Sequence, residues 1–346
     1  MNPPKLEQLL DQYDYEFPEE LIANAPANSR DSARLLVYDR NEKKPRDDVF
    51  QNILEYLPKN SVLVLNETKV IPARFYAQKS SGGKVEMLYI THTQNNFHAL
   101  SKKPLAQGDV LTAPSLELRV IKKLDKGYEF KPSISIPEFL HWLEEHGETP
   151  IPPYIKNVPL SKEKLKAEYQ TVFAKTPGSS AAPTASLHFT EELLEKIQSY
   201  GIPVEKVVLH VGLGTFAPLT EKHITEGKLH HEYYEIPEEV ARRLEKYKKE
   251  GRAIIAVGTT VVRTLESASD EHGNFVNLAG NTTLFIQEPY TFKFVNGIIT
   301  NFHVPRSSLL MLVSAFVGRE KTLELYRQAV QKKYRLFSFG DGMLLL

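Results

Sequence analysis

Apolar residues recur along this chain with two different rhythms. Near the N-terminus, ARLLVYD (33–39) and SVLVLN (61–66) are short continuous apolar runs bounded by polar residues, which predicts buried strands. Between them VFQNILEYL (49–57) has helical spacing and stops at Pro58. From about 68 to 135 the runs shorten and alternate: VIPARFYA, KVEMLYI, NFHALS, DVLTA, LELRVIKKL and YEFKP, punctuated by SGG (81–83), QGD (107–109) and DKG (125–127). That stretch predicts a small antiparallel barrel or meander. IPEFLHWLEEHG (136–147) reads as a helix ended by Gly147, and TPIPPYI (149–155) as a rigid return linker.

After about 160 the rhythm becomes strand–helix–strand–helix. Thr190 caps a helix through 191–201, 204–211 is a strand, Pro237 sits near the start of a helix over 236–251, 252–258 is a buried strand and 259–269 a helix. FGDGMLLL (339–346) reads as a docked final strand. The predicted fold is α/β: a large domain with a mostly parallel sheet (1–67 and 151–346), interrupted by an inserted β-barrel-like domain (68–150).

Composition narrows the chemistry. With no cysteine among 346 residues, disulfides, thiolate nucleophiles and thiolate metal sites are excluded. The N-terminus lacks an apolar run of signal-peptide length and the longest apolar stretch, LLMLVSAFV (309–317), is about half a membrane span, so a cytoplasmic protein with no membrane partner is expected. Lys plus Arg equals Asp plus Glu at 43 each, so an RNA partner would need a local basic face on a neutral body. Walker, HExxH and serine-elbow motifs are absent.

Five stretches carry more polar character than packing asks for. YQTVFAKTPGSSAAPTASLHFT (169–190) crowds hydroxyls and small residues, as a ligand wall or a buried irregular connection would. LHVGLGTFAPL (209–219) sets His210, Gly212, Gly214 and Thr215 after a strand, either a nucleotide-facing turn or one that merely needs φ > 0. KLHHEYYEI (228–236) holds adjacent histidines suited to proton transfer, or simply a polar loop. AVGTTVVRTLES (256–267) puts Thr259 and Thr260 at a helix start, a good anion or ribose site, with Arg263 and Glu266 on one helix face, as a substrate clamp or a surface pair. ITNFHVPRSSLLML (299–312) places Asn301 and His303 on one face of an extended segment.

Together with YDYEFPEELIA (13–23), SRDSARLLVYDR (29–40), LVLNETKVIPAR (63–74), IPPYI (151–155), HHEYYEIPEE (230–239) and YRLFSFGDGMLLL (334–346), these blocks resemble, in order and from end to end, the S-adenosylmethionine:tRNA ribosyltransferase-isomerase family of queuosine biosynthesis. The 75–148 region matches weakly, and Ser186, Val304, Arg306 and Gly342 depart from the usual pattern. The resemblance implies transfer and isomerisation of the ribosyl unit of S-adenosylmethionine onto 7-aminomethyl-7-deazaguanine at the wobble position of a tRNA with a GUN anticodon. Epoxyqueuosine forms, and adenine and methionine leave. It implies no metal and no bound cofactor, S-adenosylmethionine being substrate; separately, a monomer is expected. A methyltransferase using the same donor and a non-catalytic RNA-binding protein are the rival readings.

Within that resemblance, His210, His231 and His303 are the candidate bases and Glu266 a further catalytic group. Gln170, Thr184, His188, Gly212, Gly214, Thr215, Thr259, Thr260, Arg263 and Asn301 would surround the donor. Arg30, Arg34, Asn66, Lys69, Arg74, Lys102 and Lys103 would contact the tRNA or its base, with Lys79, Lys84, Lys122 and Lys123 as further phosphate-facing groups.

Overall fold

The computed structural model describes residues 6–212 and 218–346. In chain order its strands are β1 (Arg34–Tyr38), β2 (Pro45–Val49), β3 (Ser61–Asn66), β4 (Thr68–Val70), β5 (Arg74–Lys79), β6 (Lys84–His92), β7 (Phe97–Ser101), β8 (Val110–Ala113), β9 (Leu116–Lys123), β10 (Tyr128–Pro132), β11 (Thr176–Ser179), β12 (Val204–Leu209), β13 (Lys228–Glu235), β14 (Ala253–Val257), β15 (Ala279–Leu284), β16 (Gly297–Asn301) and β17 (Gly342–Leu345). The helices are α1 (Leu6–Asp11), α2 (Ile136–His146), α3 (Lys162–Glu168), α4 (Glu191–Ser199), α5 (Glu221–Glu226), α6 (Glu238–Lys249), α7 (Thr259–Ala268), α8 (Ser308–Val317) and α9 (Arg319–Gln331).

Among the described residues nine strands form one sheet in the order β15-β13-β12-β3-β14-β16-β17-β1-β2. Its centre, β12-β3-β14-β16, is parallel throughout. The sheet as a whole is mixed, because β13, β15, β17 and β2 join by antiparallel pairings. β3 is buried at every position, as a central strand covered on both faces must be. Its side chains divide by alternation: Val62 and Val64 pack into the core under α6–α9, Leu63 and Leu65 into the opposite core with Leu193 and Ile197 of α4. The exposed edge β2 carries Arg46, Asp47 and Asp48, charges that discourage further pairing.

β10-β7-β6-β5-β8-β9 close into a barrel, as the alternating runs predict. Alternation along β9 (buried Leu116, Leu118, Val120) supplies an interior of its own, which includes Phe75, Met87, Phe97 and Phe130. α2, with a Ser135–Glu138 capping box, plugs it through Phe139 and Trp142. β4 pairs with β11 outside the barrel. Two local expectations change. Residues 50–55 form a 3-10 helix instead of a longer α-helix, and the two-histidine stretch forms β13, its alternating burial fitting a strand flanked on both sides.

Candidate active site

Because β12, β3, β14 and β16 are parallel, their carboxyl ends gather at one end of the sheet, where open α/β folds bind ligands. A cavity of about 470 Å³ lies there, within the range of small-molecule sites. Val211 follows β12 into its wall, Gly258–Thr260 follow β14, and Thr300 and Asn301 end β16, with Phe302–Ser308 following it. Pro183–Ala185 form another side, Phe337 and Ser338 a third, and Leu6, Glu7 and Leu10 of α1 lie across it.

Gly258 makes the strand-to-helix turn. Its φ is +89°, where a side chain would be strained, and an added Cβ would sit 3.4 Å from Thr260 Oγ1. No side chain caps α7 at this turn. Thr259 and Thr260 therefore line the cavity beside the positive end of a helix. Thr260 Oγ1 is buried and has no hydrogen-bond partner within the protein. Such a hydroxyl is costly unless a ligand or water completes it.

Across the cavity, Thr184 Oγ1 donates to Asn301 Oδ1 (3.0 Å) and Asn301 Nδ2 donates to His188 Nε2 (3.2 Å). His188 stacks on Phe50 at 4.7 Å, and burial pushes its pKa down to about 4 and keeps it a neutral acceptor, although Asp341 and a bond to the backbone of Arg30 pull the other way. It fixes Asn301's amide orientation from behind the wall. His303 is on the wall itself. Its Nε2 lies 2.8 Å from Thr300 Oγ1, its N–H donates to Tyr326 Oη, and Tyr15 Oη donates to its carbonyl. Burial pushes its imidazole down to about 3.

A second network steers the chain leaving β12. Arg263 is ion-paired to Glu232 of β13, both buried, and donates through Nε to Leu284 O. Glu232 Oε1 accepts the Gly212 N–H at 2.9 Å. A small recess lined by Arg263, Glu232 and His230 adjoins the cavity through shared Leu219, Ser308 and Leu309. Among the described residues no three His, Asp or Glu side chains are grouped to hold a metal ion.

The profile of the queuosine biosynthesis protein family matches residues 10–345. This chain belongs to that family. A relative from Carboxydothermus hydrogenoformans, named S-adenosylmethionine:tRNA ribosyltransferase-isomerase, is 47% identical, with 97% of this chain and 99% of that protein covered. One of the same name from Desulforamulus reducens is 44% identical over the same shares. A crystal structure of the S-adenosylmethionine tRNA ribosyltransferase of Thermotoga maritima covers 97% of this chain and all of its own, at 34% identity and a TM-score of 0.55.

In this member of the queuosine biosynthesis family the cavity gathers Thr184, Thr259, Thr260, Asn301 and His303 from the expected set. His210 stands just outside the lining, one residue before Val211. Its Nδ1 is 2.8 Å from Thr68 Oγ1, its ring stacks on Tyr233, and it crowds Gly178, where a Cβ would fall 2.7 Å from Nε2. Gly214 and Thr215 lie outside the described residues.

Several expected residues are placed elsewhere. Arg263 and Glu266 do not form a clamp, because Arg263 turns to Glu232. Glu266 is buried and its two oxygens accept from the N–H groups of Lys293, Phe294 and Val295 and from Tyr290 Oη, so it holds a loop and has no place at the cavity. Asn66, expected at the RNA, is fully buried and staples β3 to β12 through both backbone groups of Leu209. Gln170 pairs with both backbone groups of Val70 instead of the donor. His231 is on the outer, exposed face of β13, because its partner residues at alternate positions face inward.

The expected RNA cations divide in the same way. Arg30 is spent on the carbonyls of Gln170 and Ala167, Arg34 lies 3.8 Å over the Tyr334 ring and bonds Lys332 O, and Arg74 bonds Ile151 O beside Glu86. Lys69, Lys102 and Lys103 are exposed, Lys102 paired with Glu86. The cavity residues with no role assigned from sequence include Tyr154, hydrogen-bonded to Ser338 (2.7 Å), Ser338 itself, and Arg306. Their blocks were visible in the resemblance, but no spacing rule links residues so far apart.

Proposed function

We propose that this cavity binds S-adenosylmethionine and presents its ribosyl group to the aminomethyl nitrogen of 7-aminomethyl-7-deazaguanine at the wobble position of a GUN-anticodon tRNA. Epoxyqueuosine forms, and adenine and methionine leave. The observation that carries the reading is a nucleoside-sized cavity at the carboxyl ends of four parallel strands, lined in part by Thr260, whose buried hydroxyl has no partner within the protein. Thr184 and the pinned Asn301 amide supply directional contacts opposite it. The relatives' names supply the reaction class.

The sulfonium acidifies neighbouring C–H bonds, and a neutral base removes one such proton. His303 faces the cavity, yet charging it at pH 7 against a pKa of about 3 would cost about 5 kcal/mol, so hydrogen bonding is its task. His210 is half-buried, its pKa lowered by burial against the opposing pull of Glu235, and its Nδ1 is partnered by Thr68, so in this reading it is the proton acceptor. The reading requires no resident metal or cofactor. It treats residues 68–150 as an inserted domain that meets the RNA, and the protein as a cytoplasmic monomer. Among the described residues no helix is long and apolar enough to cross a membrane.

Incubation with S-adenosylmethionine and precursor-bearing tRNA, followed by mass analysis of the nucleosides and of released adenine, tests the reading. Epoxyqueuosine with free adenine supports it. A methylated base with S-adenosylhomocysteine overturns it.

A further inference from the structure

Arg306 belongs to the cavity wall, on the link between β16 and α8. It is held there firmly: its φ is +58°, unusual for a residue with a side chain, and its N–H donates to Tyr13 O at 2.8 Å. Its guanidinium, about one-third exposed, does not reach into the body of the protein. It takes carboxylates instead: Glu7 on Nη2, and Asp11 (2.9 Å) and Asp14 (3.8 Å) on Nη1. Three acidic groups thus share one cation, and all three are largely exposed.

Glu7 and Asp11 belong to α1, six residues long and too short to be stable alone. Downstream the chain is anchored differently. Tyr13 and Tyr15 are buried, and Tyr15 packs edge-on against Tyr326. Residues 6–11 therefore cross the cavity on buried Leu10, with Leu6 and Leu9 partly buried against the same core, and on exposed ion pairs that are individually weak in water. A guanidinium offers a planar fork matched to an oxyanion. Here that fork opens on a substrate cavity and is filled by the protein's own carboxylates.

We propose that Arg306 is a binding residue for an anionic group of a substrate, and that Glu7 and Asp11 occupy it in the resting protein as an internal competitor, released when α1 swings from the cavity. The inference rests on the reading above, whose two substrates each bring one such group: the methionine α-carboxylate and an RNA phosphate.

Two binding arms distinguish these sources. Calorimetry without tRNA gives the affinity for S-adenosylmethionine, with decarboxylated S-adenosylmethionine as control. Filter binding without S-adenosylmethionine gives the affinity for tRNA. Arg306→Gln is expected to weaken one arm about tenfold or more, the scale of a charge-assisted bond. Glu7→Gln/Asp11→Asn, confined to exposed side chains, is expected to tighten the same arm several-fold. If the donor arm moves, the decarboxylated analogue stays insensitive to both changes, which identifies the carboxylate; if the tRNA arm moves, a phosphate is the ligand. Unchanged affinities in both arms, or weaker binding by the double variant, overturn the proposal. Failure of the functional reading looks different: the unaltered protein then binds no S-adenosylmethionine and releases no adenine.

Discussion

Replacing Thr260 by valine keeps the shape of the side chain and removes a buried hydroxyl that has no partner. Burying such a group without a bond costs about 1–3 kcal/mol, so Thr260→Val is expected to melt at the same temperature or higher. Its affinity for S-adenosylmethionine, read by calorimetry, is expected to fall about tenfold, the worth of one well-placed bond. Loss of stability with intact affinity would show that the hydroxyl is structural. For proton abstraction, His210→Ala is expected to lower adenine release about 100-fold or more, and His303→Ala to act mainly through KM. Equal kcat losses in both variants would undo that division of labour.

The buried histidines also set a pH dependence. His188 and His303 are held near 4 and near 3, below their unfolded values, so the unfolded chain binds more protons as acidity rises. Their neutral-state stability is complete above about pH 6.5 and is lost as pH falls toward 4 and then 3. Melting temperatures recorded from pH 7.5 to 4.5 should decline, and His188→Gln should flatten the decline. Residue types at the site were legible in the sequence. What each one touches was not: Asn66 looks like a ligand and is a staple between two strands, because side chains near strand ends serve the backbone as readily as a substrate.

At the scale of elements, periodicity located almost everything that packs. The apolar runs of β3, β14 and β16 and the alternating runs of the barrel appear where the hydrophobic pattern puts them, because burial on two faces or one leaves a direct imprint. β13 was less legible, since its histidines and tyrosines read as loop until β12 and β15 flank it. Helix α7 shows the limit of spacing rules. Arg263 and Glu266 share its face as predicted, yet each finds a better partner in another element. Glu266→Gln leaves three backbone donors competing for a weaker acceptor. A loss of about 2–3 kcal/mol in denaturant unfolding is expected, with adenine release per folded molecule retained. A turnover defect without a stability defect would return Glu266 to the chemistry.

For the whole molecule, a formal charge of zero puts any RNA attraction in local features. Lys69, exposed on β4 beside the barrel's entry, and Lys103, exposed after β7, are two cations of the expected set that form no ion pair among the described residues. Lys69→Ala/Lys103→Ala is expected to weaken tRNA binding and to reduce the slope of log affinity against log salt by about 1–2. An unchanged slope would move the RNA to another face. Such a face could not be read from the sequence, because lysines spread over the barrel share no periodicity.

The sheet order also has a temporal consequence. β17 is wedged between β16 and β1, so the β1–β2 hairpin can reach the rest of the sheet only through residues that follow it by about 300 positions, as the Arg34–Asp341 bond does across 307. During synthesis the hairpin must wait with its inner edge unsatisfied while the centre of the sheet assembles. Growth conditions that slow translation or deplete chaperones should therefore harm the yield of this protein before they harm its activity.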